Sequence, residues 1–219
     1  MAKKLSFLIL MIGQILLAQS AKSIIEKHFE NTGGTASWEQ LNTIYIKGEV
    51  LMNINAPIPL TIEHRRPYFK RVSFLINGKE TLSEGYDGKR AYTFSPEKNQ
   101  NVPLANYTPD AFETDILNYE KKGFKAEFLG KESLNKHETF HIRLVKNTEK
   151  IDYWFHTENY NLVQSEDDTE KIIYSNFKKF GGLKFATHMH YEPKGGQDYI
   201  IIFNDIKPNA PIDEKRFKF

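Results

Sequence analysis

Most of this chain alternates between apolar and polar residues with a period of two, and turn dipeptides separate the alternating stretches. In the stretch 43–52, for example, Ile44, Ile46, Val50 and Met52 occupy alternate positions. The turn dipeptides follow at short intervals: Asn77-Gly78, Asp87-Gly88, Asn135-Lys136, Asp167-Asp168, Gly181-Gly182 and Gly195-Gly196. A period of two places successive side chains on opposite faces of a strand, and Asn-Gly between two such stretches is a strong signal of a hairpin. The pattern predicts a long run of antiparallel hairpins.

The alternation and the turns predict about eleven strands, because one of the candidate ranges is expected to be merged or miscounted. The candidate ranges are 43–52, 58–65, 69–77, 80–86, 90–95, 124–134, 138–145, 149–156, 161–167, 170–179, 182–192 and 198–207. No internal repeat is visible, and the hairpins continue over the whole length. A single antiparallel meander is therefore favoured over two domains.

The stretch that precedes the first strand has a helical pattern instead. Ile24, Ile25, His28 and Phe29 recur at the spacing of one helix face. Gly33-Gly34 then predicts the end of this helix, because glycine readily adopts the left-handed conformation found there. A further short turn is expected before the sheet begins.

A second helix is predicted in the middle of the chain. Thr108-Pro109-Asp110 combines a capping hydroxyl, a proline in the first turn and an acidic residue, which is typical of a helix start. Phe112, Ile116 and Leu117 then share one helical face. The polar stretch 96–108 before this helix is expected to be a long surface loop.

The first residues have the pattern of an export signal. Basic residues come first, an almost entirely apolar stretch follows at 5–17, and small residues come next. This is the order of segments in a secretory signal peptide, and the apolar stretch is short for a membrane span. We expect residues 1–20 to be a signal peptide, cleaved near Ala18 to Ser20, and residues 21–219 to form one domain. A leader that stays attached as an anchor is the alternative.

Composition excludes several classes of protein. The chain contains no cysteine, so disulfides, thiolate metal sites and a cysteine nucleophile are excluded. It has 30 basic and 28 acidic residues, and removal of Lys3 and Lys4 with the leader makes the balance neutral. Nucleic-acid binding depends on basic patches. We therefore expect a soluble exported protein with no nucleic-acid partner.

A long meander leaves two free edges unless the sheet curls on itself. Several strands are also apolar on both faces, as in the stretches 153–155, 172–174 and 199–203. A sheet in water does not expose both faces. These features predict a mainly β fold: an incomplete antiparallel β-barrel of about eleven strands, covered by the N-terminal and mid-chain helices and enclosing an apolar cavity.

Two stretches resemble the signature region of a known family. Arg66-Pro67-Tyr68-Phe69 begins a strand, and Asp87-Gly88-Lys89 leads into an aromatic strand with Tyr92 and Phe94 that ends at Pro96. This arrangement resembles the periplasmic lipoprotein carriers of the LolA/LolB-like superfamily, in the branch of outer-membrane lipoprotein-sorting proteins. Tyr92 stands where that family usually has a tryptophan.

The resemblance implies a fold, a location, a function and one site residue. The family has an incomplete barrel lidded by helices and shields the acyl chains of lipoproteins, or of a related lipid, while they cross the periplasm. Arg66 matches the family arginine that holds the closed lid through hydrogen bonds to helix or loop backbone. An inner-membrane donor, an outer-membrane acceptor, a monomeric state and the absence of cofactors are implied in the same way.

An apolar cavity of this kind would be lined by bulky strand residues. The candidates are Ile46, Val50, Met52, Val72, Phe74, Ile76, Tyr92, Phe94, Tyr153, Phe155, Ile201 and Phe203. The alternative is that these side chains fill a solid core, as in most small barrels. Arg66 also has an alternative, because with His64 and Arg65 it could form a solvated turn beside Pro67.

Catalytic and metal chemistry has weaker support in the sequence than lipid binding has. His188 and His190 share a strand face, and His137 and His141 flank another strand, but no HExxH or comparable spacing completes a zinc site. No G-x-S-x-G motif occurs, and no carboxylate pair is singled out. We therefore expect neither a metal site nor an enzyme.

Three alternatives to a lipid carrier stay open. The first is an exported interaction or sensor module that uses the same fold without lipid transport, and the second is a hydrolase. The third comes from Phe219, because a terminal phenylalanine on an alternating strand is typical of integral outer-membrane proteins. Pro208, Pro211 and charged residues within the strands argue against that third alternative.

Overall fold

The computed structural model describes residues 20–52, 56–109, 114–134 and 136–219, so the predicted signal peptide lies outside the described residues except for its last position. The helices are α1 (Ala21–Thr32) and α2 (Thr35–Glu39), and a 3₁₀ helix (Glu214–Phe217) lies near the C-terminus. The strands are β1 (Thr43–Met52), β2 (Ile58–Arg65), β3 (Phe69–Ile76), β4 (Lys79–Tyr86), β5 (Ala91–Ser95), β6 (Gln100–Leu104), β7 (Lys125–Leu134), β8 (His137–Lys146), β9 (Glu149–His156), β10 (Leu162–Glu166), β11 (Glu170–Phe180), β12 (Leu183–Pro193) and β13 (Tyr199–Pro208).

The strands form one 13-stranded antiparallel sheet, in the order β6-β5-β4-β3-β2-β1-β13-β12-β11-β10-β9-β8-β7. β6 and β7 are its two edges, and the sheet does not close between them. The prediction of a mainly β fold based on an incomplete antiparallel barrel is therefore confirmed. Pairing is short between β4 and β5 (residues 85–86 with 91–92), between β10 and β11 (164–166 with 171–173) and between β12 and β13 (188–191 with 199–202).

The predicted count of about eleven strands was too low. Each predicted strand range coincides with a strand of the sheet, and none of them merges with its neighbour. The additional strand, β6, lies inside the predicted loop 96–108. Its polar residues and Pro103 conceal its strand character in the sequence, because proline is tolerated in a sheet mainly at an edge.

α1 has the buried face and the ends that its sequence predicts. The Ser20 side-chain oxygen accepts a hydrogen bond from the Ser23 N–H at 3.1 Å, which caps the first turn. Ile25 and Phe29 are among the residues buried against the sheet. The helix ends at Gly33, whose φ of 124° favours glycine. A Cβ on Gly33 would also lie 2.8 Å from the carbonyl oxygen of Gly182, so the close approach of helix and sheet requires glycine.

The described part of the mid-chain segment forms turns and not the predicted helix. Residues 110–113, which contain the predicted first turn, lie outside the described residues, and residues 115–123 form consecutive turns. Asn118 has a φ of 55°, which interrupts a helical path. Ile116 and Leu117 are nevertheless buried in the same core as α1. The segment therefore covers the sheet, but through a different local structure.

The register of the strands assigns each side chain to one of two faces. α1 and α2 lie on the face that we call the inner face, and residues 213–219 lie on the opposite, outer face. Ile142 and Tyr153 pair on the inner face under α1, whereas their neighbours Arg143 and Asp152 pair on the outer face. Alternation along each strand extends this assignment over the sheet.

Two cores lie on the inner face. The first core combines α1 and the mid-chain turns with β8, β9 and β10, and it contains Ile24, Ile25, Phe29, Ile116, Leu117, Phe124, Phe140, Ile142, Leu144, Ile151, Tyr153, Phe155 and Leu162. The second core contains Leu41, Ile44, Ile46, Leu183 and Ile206. Trp38 of α2 packs against both cores and therefore joins them.

The C-terminal residues cover the outer face of β2, β3 and β4. Phe217 is 2% exposed and packs against the Phe69 ring at 5.6 Å between ring centroids. The Arg216 guanidinium donates hydrogen bonds to the carboxylates of Glu63 and Glu80. Both sides of this half of the sheet therefore carry apolar residues. Within the described ranges, no helix is both long and apolar enough to cross a membrane.

Candidate functional site

The helices cover only part of the inner face. Beyond α2, apolar side chains of β1, β2, β3 and β13 on this face are only partly buried or are exposed. We call this set the open wall; its members are Met52, Ile58, Ile62, Val72, Phe74, Ile76, Ile201 and Phe203. Met52 is 41% exposed and Ile76 is 46% exposed. The open wall is thus an apolar surface that the described parts of the chain leave accessible to a ligand.

Close packing of the backbone shapes the middle of the open wall. Gly48 of β1 pairs with Phe203 of β13 next to an irregularity in the register. A Cβ at Gly48 would collide with the carbonyl oxygen of Ile202 and press on the Phe203 ring. Glycine at this position therefore lets the Phe203 ring lie across β1.

The predicted lining residues on the inner face fall into three groups. Ile46, Tyr153 and Phe155 belong to the two cores, and the ring of Phe155 also packs on His28 at 5.2 Å between ring centroids. Val50 is buried at 4% exposure. The others belong to the open wall: Met52, Val72, Phe74, Ile76, Ile201 and Phe203. Packing into a core and exposure on a lining surface thus both occur within the predicted set.

Two of the predicted lining residues lie on the opposite face. Tyr92 pairs with Gly85, and its ring stacks on Phe219 at 5.3 Å between centroids, on the outer face. Phe94 follows two positions later on β5 and therefore shares the side of Tyr92. The absence of a side chain at Gly85 provides the space that Phe219 occupies. Tyr92 and Phe94 are therefore removed from the candidate site.

Arg66 connects the β2–β3 turn to the segment that contains α2. Its Nε donates to the carbonyl oxygen of Leu41 at 2.6 Å, and its Nη2 donates to the carbonyl oxygen of Trp38 at 3.2 Å. Its backbone N–H also donates to the carbonyl oxygen of Asn42 at 2.9 Å. The guanidinium thus holds two backbone carbonyls where α2 ends and the sheet begins, which differs from the solvated turn considered as the alternative.

α2 is a light cover held by a small number of contacts. None of its residues is fully buried. Its Trp38 ring packs on Phe185 at 5.0 Å between centroids, and the Trp38 Nε1–H donates to the Thr32 hydroxyl at 3.1 Å. Glu39 accepts a hydrogen bond from the Asn118 side chain at 2.8 Å, and this bond holds the pKa of the Glu39 carboxyl below its usual range. These contacts and Arg66 keep α2 on the sheet.

Three tyrosines of the inner face were not among the residues that the sequence predicted for the site. Tyr191 and Tyr199 pair across β12 and β13, and their rings are stacked 4.7 Å apart and nearly parallel. Tyr174 of β11 is on the same face, and its hydroxyl lies 2.9 Å from the Ser165 hydroxyl. Burial raises the pKa of Tyr174 to about 12. The sequence signal that could have identified them is strand alternation. Tyr199 lies two residues before the predicted Ile201 and therefore shares its face of β13.

The histidines singled out in the sequence do not form a metal centre among the residues that the structure describes. His188 and His190 face outward, and His190 lies 3.7 Å from carboxylate oxygens of both Glu192 and Asp198. His141 lies on the outer face, with its ring nitrogens 2.7 Å and 2.8 Å from oxygens of Glu132 and Asp152. These contacts form polar networks on the outer face of the sheet.

No family model matches this chain, and no curated protein matches it. Solved structures, however, match over most of its length. A LolA superfamily protein from Nitrosomonas europaea is 16% identical with a TM-score of 0.59, and the match covers 91% of this chain and 98% of that chain.

Two further structures agree with the first. A domain from Vibrio parahaemolyticus named as an outer membrane lipoprotein-sorting protein is 12% identical with a TM-score of 0.61, and the match covers 90% of this chain and 97% of that chain. A DUF1329 family protein from Desulfovibrio piger is 11% identical with a TM-score of 0.61, with the same coverage. At sequence identities this low, the similarity shows the fold alone. The chain therefore has the fold of the LolA superfamily and of lipoprotein-sorting domains, as the stretch around Arg66 indicated.

Proposed function

We propose that this chain is an exported, non-enzymatic carrier that binds the acyl chains of lipoproteins, or of a related lipid, on the open wall for delivery to the outer membrane. The observation that carries the proposal is the partly exposed apolar surface beside a helix-covered core. Burial of each methylene group of a lipid contributes about 0.8 kcal/mol. An apolar wall that is bordered on the inner face by the Lys70–Glu84 ion pair suits acyl chains and needs no catalytic group.

Arg66 and α2 supply the means to control access. Lipid buried on the open wall would be released slowly unless its cover could move. α2 is short, has no fully buried residue and is held by the guanidinium of Arg66. Loss of these two hydrogen bonds would free α2 and the neighbouring edge of the open wall. The fold likeness to LolA superfamily proteins supports this arrangement.

The remaining parts of the proposal concern the export of the protein and the transfer of its cargo. Residues 1–20 act as a cleaved signal peptide, and residues 21–219 work as one domain in the periplasm. The carrier is a monomer that receives its cargo from an inner-membrane donor and passes it to an outer-membrane acceptor. The neutral balance of the chain without its leader agrees with an apolar cargo and with no nucleic-acid partner.

Mass spectrometry of lipids extracted from the natively purified protein tests the proposal directly. We expect acylated lipid at a stoichiometric level, and we expect Phe74→Asp to remove it, because this change places a charge on the open wall. Leu75→Asp is the matched control, since Leu75 is the adjacent residue of β3 on the outer face and is 49% exposed. Lipid-free native protein, or equal lipid content in both variants, would contradict the proposal.

A thermal-shift measurement gives an independent result. An acylated peptide should raise the melting temperature of delipidated protein, whereas the same peptide without its acyl chain should not. Recovery of a folded protein partner by lipid-free protein, with no shift from the acylated peptide, would support the interaction or sensor module instead.

A further inference from the structure

A lateral row of side chains crosses the inner face from the first core to the open wall. The strand register places Tyr153, Ser165, Ile172, Tyr191, Tyr199 and Met52 side by side on β9, β10, β11, β12, β13 and β1. Exposure increases along it, from 3% at Tyr153 to 41% at Met52. Tyr191 and Tyr199 are therefore located where the covered core ends and the open wall begins.

The hydroxyl groups of the row differ in the partners they have. The Tyr174 hydroxyl, one step along β11, is bonded to the Ser165 hydroxyl. The Tyr191 hydroxyl has the Met189 sulfur at 3.9 Å, and a thioether is a weak acceptor. Among the described residues, no hydrogen bond to the Tyr199 hydroxyl is present. Tyrosine hydroxyls in apolar surroundings usually have a strong partner, so these two hydroxyls remain able to donate to a ligand.

The charges near the row are negative. Glu170 begins β11 on the inner face, and Ile172, two residues later on the same face, pairs with Tyr191. The Lys194 ammonium lies near the Asp167 backbone, donating to its carbonyl oxygen, and 3.4 Å from a Glu166 oxygen. A ligand carboxylate or phosphate beside Tyr191 would therefore face Glu170, whereas an uncharged acceptor would not be repelled.

We propose that the hydroxyls of Tyr191 and Tyr199 donate hydrogen bonds to the ester carbonyls of a neutral acylglycerol group whose chains lie on the open wall. Ester carbonyls are uncharged acceptors at the junction between acyl chains and glycerol, which matches hydroxyl donors at the border of an apolar surface. The inference rests on the proposed function and deepens it, because it names the chemical group that is recognised. The stacked rings of Tyr191 and Tyr199 hold both hydroxyls on the same border.

The test compares two probes that differ only in the carbonyls. Dioctanoylglycerol carries two ester carbonyls, and dioctylglycerol ether has matching chains without them. We expect the delipidated full chain to bind the diester about tenfold more tightly than the diether, because two net hydrogen bonds contribute on that scale. In the double variant Tyr191→Phe, Tyr199→Phe this ratio should approach one, while the affinity for the diether stays unchanged. Tyr45→Phe, which removes a hydroxyl from the outer face of β1, should behave like the native chain.

A second comparison tests the charge argument. Monodecanoylglycerol should bind more tightly than decanoate. Glu170→Gln should reduce this difference in affinity, because it removes the charge that repels the decanoate carboxylate. The affinity for an S-diacylglyceryl-cysteine peptide, compared with the affinity for free dioctanoylglycerol, shows whether the chain prefers an acylglycerol group on a protein or a free acylglycerol.

The outcomes separate this inference from the proposed function. Equal binding of diester and diether by the native chain, or decanoate binding as tightly as the glyceride, would overturn the carbonyl assignment and leave the lipid carrier intact. Failure of all of these probes to bind would overturn both. Where the double variant folds, a ratio that stays near tenfold would also overturn the role of Tyr191 and Tyr199. Where it does not fold, equal binding of the two probes by the native chain is the result that overturns the assignment.

Discussion

At the scale of single residues, the imidazole of His28 shows how the core under α1 depends on pH. Its Nδ1 lies 2.8 Å from the carbonyl oxygen of Tyr160, and its ring contacts Phe29 and Phe155. Burial lowers the pKa of His28 from 6.5 to about 4, because the charged ring loses water and is close to Lys184. The neutral form is therefore the form that this core accommodates.

We expect the free energy of unfolding to decrease as the pH falls from 6.5 to 4, with a contribution of about 3 kcal/mol from His28. Above pH 6.5 the ring is neutral in both states, so His28 adds no pH dependence there. Below pH 6.5 the unfolded chain takes up a proton that the folded chain does not, and this favours unfolding. Urea unfolding between pH 7.5 and pH 4.5 should show a flatter profile for His28→Gln than for the native chain. His137→Gln, a change at an exposed ring, is the control, and a native-like slope in His28→Gln would refute the expectation.

Arg66→Leu should destabilise the position of α2 more than the fold. The change removes two charge-assisted hydrogen bonds to backbone carbonyls, so the free energy of unfolding should decrease by about 1–2 kcal/mol. Release of a fluorescent acyl probe should become faster, because the cover is no longer held. Stopped-flow release kinetics measure this effect.

The variant Arg66→Lys separates charge from geometry. Lysine keeps the charge but lacks the planar fork that reaches two acceptors, so it should give an intermediate release rate. Arg90→Leu changes an exposed arginine and should release the probe at the native rate. Identical release from Arg66→Leu and Arg90→Leu would mean that Arg66 does not control access.

Single residues also show where prediction from sequence succeeds and where it stops. Ile25 and Phe29 of α1 are buried as expected, because a helix has only one face against the sheet. The pairing of β5 with β4 puts Tyr92 and Phe94 on the outer face, where Tyr92 stacks on Phe219 of the returning C-terminus. Alternation gives the period of a strand but not the identity of its faces when both faces are apolar.

At the scale of elements, arginines fasten the C-terminal 3₁₀ helix to the sheet: Arg65 and Arg71 of the sheet contact the helix, and its own Arg216 reaches a buried carboxylate. Arg216 donates from Nε and Nη2 to both carboxylate oxygens of Glu63 and also bonds to Glu80. Glu63 is buried at 4% exposure. These contacts raise the pKa of the Arg216 guanidinium above its usual range. Removal of the arginine would leave a buried carboxylate without its main cation.

Arg216→Met should therefore lower the free energy of unfolding by about 2 kcal/mol, since a buried charge without its partner is costly. Adding Glu63→Gln to the same chain should restore about half of this loss, because the neutral amide tolerates burial better. Lys215→Met, a change at the exposed neighbour, should have little effect. Urea denaturation measures all of these variants, and a further loss in the double variant would contradict the role assigned to Glu63.

Strong local signals made α1 and the hairpins predictable. Asn77 and Gly78 have φ values of 51° and 76°, which only a few residue types adopt readily, and they join β3 to β4 as their sequence indicates. β6 was missed because its Pro103 and polar residues resemble a loop. The mid-chain helix was predicted from a good cap, but Asn118 turns the chain before a helix can continue.

At the scale of the whole molecule, the sheet has two free edges that other chains could extend. β6 carries Pro103, and a proline nitrogen cannot donate to an added strand. β7 has an irregular register between Phe128 and Gly130, which disturbs its edge. Both edges therefore resist pairing with a second copy.

Pro103→Thr should weaken this protection at one edge. The change supplies an N–H and a residue with high strand propensity, so the average mass in light scattering should rise toward that of a dimer as the protein concentration increases. Pro96→Thr, in the turn after β5, is the matched control and should leave the mass unchanged. Constant mass for Pro103→Thr over the same concentrations would show that this proline does not protect the edge.

The brief pairing between β10 and β11 divides the sheet into two leaves of different character. One leaf carries α1 and a filled interior, and the other carries the open wall. α1 crosses this boundary, because Gly33 lies against Gly182 while Ile25 and Phe29 pack in the first core, so the angle between the leaves can change only together with the position of α1. We expect a bulkier lipid to be accommodated by a rotation of one leaf relative to the other, and not by repacking of the side chains of the open wall.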